Sequence, residues 1–101
     1  MEIITKTNGY EIGKELQAMI ERFDRAVEKL FGDEVKAIEH FYYGDKLDML
    51  TVRLHGKSYG QFNITAKRVS FNGHTCRMDE YKRFEMLTYN DECFNGKLME
   101  V

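Results

Sequence analysis

His74 and Cys76 stand two positions apart, a spacing that places an imidazole and a thiol on one face of a β-strand. His55 and Cys93 would complete a set of four zinc-type ligands. Structural zinc sites, however, are built on close pairs such as Cys-x-x-Cys, and the two cysteines here form no such pair. Ordinary sheet residues are the better reading, so no metal or other cofactor is expected. Cys93 with His40 or His55 as its base would make a nucleophilic pair, but nothing flanking Cys93 lowers a thiol pKa. The acid pairs Asp33-Glu34, Asp79-Glu80 and Asp91-Glu92 fall at predicted element boundaries, where solvated carboxylates are ordinary. Glycines occur singly, and no nucleophile elbow, phosphate loop, His-Glu-x-x-His or dinucleotide fingerprint is present. The expectation is a protein without enzymatic activity.

Two features speak instead for binding. Lys67, Arg68, Arg77, Lys82 and Arg83 come from neighbouring segments of one predicted hairpin, with Phe71 and Tyr81 nearby. A basic sheet face with stacking aromatics is one way to hold single-stranded nucleic acid. A pI near 5.9 and the lack of an RNP-like motif count against it, so this reading ranks second. The aromatic run Phe41-Tyr42-Tyr43 carries more weight. Successive strand residues face opposite sides of a sheet, and one helix covers only one side. Either Tyr42 with Ile38, or Phe41 with Tyr43 and Ala37, is then left for a partner or for the C-terminal segment to cover. Tyr42 is the favoured anchor, with Glu21, Asp24 and Glu28 of the helix at the rim.

The elements that must position these residues follow from hydrophobic period. Ile12, Leu16, Met19, Ile20, Phe23, Val27, Leu30 and Phe31 recur at steps of three and four, the stripe of an amphipathic helix. Asn8 with Glu11 suggests a capping-box start, and Gly32 a C-terminal stop. Beyond Gly32 the period becomes two. Residues 35–43 and 47–55 read as strands, and Leu50, Val52 and Leu54 share a face. Phe62, Ile64 and Ala66 form the next inward set, and a bulge at Lys67-Arg68 would bring Val69 and Phe71 back inward. Asn72-Gly73 is the strongest hairpin signal, pairing Phe71 with His74, Val69 with Cys76 and Lys67 with Met78. Residues 79–90 fit a short helix capped by Asp79 or a strand over 83–89, with the strand slightly favoured. Asn95-Gly96 suggests a closing hairpin of Cys93-Phe94 with Lys97-Leu98, and Met1–Thr7 an edge strand or a loose terminus. The expected architecture is α+β: one N-terminal helix on a four- to six-stranded, mainly antiparallel sheet, with residues 1–101 as a single domain.

The chain has 101 residues, is 43% hydrophobic and 32% charged, and carries a formal net charge of −2. That composition excludes disordered and fibrous classes, and no apolar run is long enough to span a membrane. The absence of an export signal and the two lone thiols point to the cytoplasm. In its general cast (small, proline-free and motif-free) the chain resembles accessory proteins of phages and mobile elements, including anti-CRISPR and other anti-defence inhibitors. That resemblance, which no motif carries, implies docking on a protein partner, a nucleic-acid-processing or defence protein, as a monomer or a homodimer. At net −2, wholesale imitation of DNA charge is not indicated.

Overall fold

The computed structural model describes residues 1–6, 11–41, 49–57, 59–72, 80–92 and 98. In chain order these form strand β1 (Glu2–Lys6), helix α1 (Lys14–Phe31), a 3-10 turn (Gly32–Glu34) and strands β2 (Val35–Phe41), β3 (Met49–Gly56), β4 (Gly60–Thr65) and β5 (Arg68–Asn72). A short helix α2 (Tyr81–Glu85) and a two-residue strand β6 (Tyr89–Asn90) follow. The six strands make one sheet whose spatial order is the sequence order. β1 runs parallel to β2 and every other pair is antiparallel. A parallel neighbour needs a crossover rather than a hairpin, and α1 provides it. The expected α+β class with one long helix on a mainly antiparallel sheet is what forms.

The predicted stripe is the core face of α1: Leu16, Met19, Ile20, Phe23, Val27 and Phe31 are buried, and Ile12 and Leu30 pack partly against the same core. The helix starts later than expected. Its N-cap is Gly13 in extended backbone, Glu11 precedes it, and Asn8 lies outside the described residues. A start at Asn8 would have put Gly13 inside the helix, where glycine is destabilising. Gly32 ends the helix as expected, with φ +52° and its N–H donated to the Glu28 carbonyl.

Facing α1, Ile38, Leu50, Val52, Leu54, Phe62, Ile64 and Val69 are buried. The expected bulge at Lys67-Arg68 is instead a tight turn, because Ile64 pairs with Val69 and the chain reverses at Ala66-Lys67. Thr65 Oγ1 accepts from the amides of Lys67 and Arg68 at 3.2 and 3.0 Å, doing with a hydroxyl what Asn-Gly does with backbone freedom. Ala66 is consequently half-buried in the turn and not a core residue. A register irregularity does occur, between Val35 and Ala37, and it turns Val35 into the core.

Of the pairs expected across Asn72-Gly73, that of Val69 with Cys76 is corrected. Val69 has Ile64 on one side and Tyr89 on the other, which leaves no ladder position for Cys76. Cys76, His74 and Met78 lie outside the described residues, as does the predicted hairpin 93–97; Leu98 is buried in the core. The slightly favoured strand over 83–89 is a helix at Tyr81–Glu85, and β6 begins at Tyr89. Packing decides this: Phe84 stacks on Phe31 and Phe71 at 5.2 and 5.3 Å and meets Phe62 edge-on at 6.0 Å. One helical turn brings both Phe84 and Leu87 into the core, where strand alternation would separate them. Among the described residues no helix is long and apolar enough to cross a membrane.

Candidate interaction surface

Both helices lie on the face just described, so the opposite face of the sheet carries the residues of the other parity. Ile38 and His40 point into the core, which puts Ala37, Glu39 and Phe41 on the second face. Of the two alternatives for the aromatic run, the structure takes the one with Phe41 and Ala37 outward. Tyr42 and Tyr43 lie outside the described residues. Across the neighbouring strands this face continues with Ile4 and Lys6, then Thr51, Arg53 and His55, then Gln61 and Asn63. Among the described residues no helix packs on it.

Diagonal neighbours across strands are within reach of long side chains, and they organise this face. Glu39 Oε2 lies 3.1 Å from Lys6 Nζ, and Glu39 Oε1 meets His55 Nε2. The His55 ring touches Tyr59 edge-on at 5.6 Å. Arg53 stands opposite Glu39 in the ladder, yet its guanidinium lies 4.8 Å from the centre of the Phe41 ring. Arg53 Nε donates to Gln61 Oε1 at 3.1 Å. Lys6 Nζ approaches the same ring to 5.2 Å, so Phe41 is held by two cations. Thr51 Oγ1 donates to Asn63 Oδ1 at 3.1 Å.

Desolvation pushes the Glu39 carboxyl up, but hydrogen bonds from Lys6 and His55, with their charges, outweigh it and hold the group below the usual carboxylate range. A carboxyl depressed in the folded state contributes stability above its unfolded pKa, and loses it as pH falls through the folded value. Glu39→Gln should therefore be less stable than the parent near neutral pH, and the difference should shrink as acidification protonates the parent carboxyl. Urea unfolding from neutral to acidic pH is the measurement. A difference that persists at low pH would assign the effect to packing.

The helix acids predicted to rim this surface do not meet it. Glu21 and Glu28 are exposed on α1, on the far side of the sheet from Phe41. Asp24 is not on the solvent face at all: its Oδ1 lies 3.1 Å from His40 Nε2, with the two side chains 14% and 7% exposed. On a helix Asp24 sits about 60° round from Val27, at the margin of the stripe, and His40 faces it from β2. This pair gives His40 a fixed structural partner linking helix to sheet. The basic set is also divided. Lys67 and Arg68 lie at the β4–β5 turn, where Arg68 Nη2 is 3.8 Å from Glu92. Tyr81 packs on Phe71 towards the other end of β5, about 10 Å from Arg68 at strand rise. Arg83 faces away towards α1, donating to the Leu30 carbonyl at 2.9 Å and to Glu34 at 2.7 Å, with its guanidinium over Phe31. Arg77 lies outside the described residues.

The nucleophilic pair considered for Cys93 with His40 or His55 cannot be placed, because Cys93 lies outside the described residues. Among the described residues no group of three histidine, cysteine or acidic side chains is placed to hold a metal ion. His74 and Cys76 also lie outside the described set, and His55 is engaged by Glu39. Two open hollows, of about 350 Å³ at the β4–β5 turn and about 410 Å³ beside β5, are lined without histidine or cysteine. The surface residues missed from sequence are Lys6, Glu39, Arg53 and Gln61. Strand alternation marked their parity, but which of them meet depends on the parallel β1–β2 register. No family model, curated protein or solved structure matches this chain.

Proposed function

We propose that the chain is a non-enzymatic module that docks on a protein through the second face of its sheet, centred on Phe41 and Arg53. The observation that carries this reading is the partly buried Phe41 ring held between Lys6 and Arg53, on a face without a covering helix among the described residues. Aromatic and arginine side chains dominate binding energy at protein interfaces, and a rim of hydrogen-bonding groups such as Gln61 and Asn63 fixes orientation. The mixed signs of Lys6, Glu39 and Arg53 suit a protein surface better than a polyanion. The division of Lys67 and Arg68 from Arg83 weighs against nucleic acid as ligand. Steric blocking of a nucleic-acid-processing or defence protein fits a small module of this kind, as in accessory inhibitors of phages and mobile elements.

Pull-down from a nuclease-treated native lysate tests it. The double change Phe41→Ala, Arg53→Ala should weaken capture of the partner at least about tenfold. Glu21→Lys, Glu28→Lys on the far side should leave it nearly unchanged. Loss of capture with the helix variant and retention with the sheet variant would move the docking surface to α1. Capture abolished by nuclease alone would favour nucleic acid.

A further inference from the structure

We infer that β1 is a self-association edge, on which two copies of this chain pair their first strands antiparallel about Ile4. This goes beyond docking on a foreign partner and does not depend on it. The two borders of the sheet are unlike. At one, β6 contributes two residues, and a very short edge strand is a standard guard against edge-to-edge pairing. At the other, β1 presents five residues without proline or glycine, and β2 is its one strand neighbour among the described residues. Ile3 is 52% exposed there, beside Met1 at 49%.

The sequence of β1 is complementary to itself under a two-fold axis. Pairing about Ile4 sets Glu2 opposite Lys6 of the second copy, Ile3 opposite Thr5, and Ile4 opposite Ile4. It uses all five residues and matches both charges. Shifting by one pair in either direction sets a charged residue against Ile4 and loses ladder positions. Directly opposed residues share a face, so Ile3 and Thr5 meet on the helix side and Glu2 and Lys6 on the second face. Lys6 already lies 3.1 Å from Glu39, so the second copy's Glu2 would extend an alternating row of charges across the seam.

Charge reversal tests the register directly. Sedimentation equilibrium should show a reversible dimer for the parent chain. Glu2→Lys opposes Lys to Lys twice and Lys6→Glu opposes Glu to Glu twice, so each should weaken the dimer about tenfold or more. An equimolar mixture of the two variants restores both opposite-charge pairs and should recover association as a heterodimer. The double variant Glu2→Lys, Lys6→Glu should recover it as a homodimer. Lys6→Glu also disturbs Glu39, whereas Glu2 is exposed, so Glu2→Lys with an unchanged far-ultraviolet spectrum is the cleaner arm. A parent chain that stays monomeric at every concentration tested would overturn the inference. So would a dimer indifferent to either reversal, or single variants that fail to recover on mixing.

Discussion

Phe23→Ala is expected to remove about 3–5 kcal/mol of folding stability. Phe23 is fully buried in the middle of α1 and meets the ring of Phe62 edge-on at 5.0 Å. Phe62 in turn lies 5.0 Å from Phe71 and 6.0 Å from Phe84, so the ring removed is the helix's entry into an aromatic cluster spanning β4, β5 and α2. Those neighbours are rigid and already in contact with one another, which limits how far they collapse into the space. Domains of this size are stable by roughly 5–15 kcal/mol, so the variant would sit close to unfolding. Urea unfolding gives the loss, with exposed Glu21→Ala as the control expected to change it by under about 0.5 kcal/mol. A loss below about 1 kcal/mol for Phe23→Ala would mean that α1 does not seat on the sheet through this side chain.

Gly56→Ala should rank next, at about 2–4 kcal/mol, for a reason that is entirely backbone. Gly56 ends β3 with φ +147°, and a Cβ there would stand 2.3 Å from the Glu34 carbonyl oxygen and 2.9 Å from the Lys36 nitrogen. Both are main-chain atoms at the start of β2, where the register between Val35 and Ala37 is irregular, so no rotamer change relieves the contact. The same Glu34 carbonyl accepts the Lys57 amide at 2.9 Å, a bond that would be lost as the strands part. Gly13→Ala is the contrast, since a Cβ there meets nothing within 4 Å. It should change stability by less than about 1 kcal/mol. Equal losses at the two glycines in urea unfolding would refute the steric account.

Periodicity made α1 and the inward faces of β3 and β4 legible, because each repeats one physical requirement several times over, whereas the aromatic run of β2 left both of its faces open. What escaped were features set by single contacts. The reversal at Ala66-Lys67 has neither glycine nor asparagine and depends on the Thr65 hydroxyl. The segment 81–85 satisfies both periods locally, and packing of Phe84 against Phe31, from the far end of α1, chooses the helix. Asp24 looked like one more surface acid until the register of β2 brought His40 beneath it. The candidate surface suffered most, since its partners come from four strands and the parallel seating of β1 has no local signature. Of the two faces that the aromatic run left open, the register of β2 puts Phe41 on the one away from α1, whereas the helix acids grouped with it belong to the other side of the sheet.

That parallel seating also orders how the molecule assembles in time. Every β1–β2 pair joins residues 35 positions apart, whereas β4–β5 pairs are separated by 5 to 11. Closing the longer loop costs on the order of 1–2 kcal/mol more, and it is repaid only after α1 has docked to span the distance. The meander from β2 to β5 can therefore zip from local turns, and β1 must arrive late, along a contact-order gradient built into the chain. By the same reasoning it leaves early in the monomer: opening β1 exposes little apolar surface and leaves the meander paired, so its amides there exchange with solvent well before those of β3.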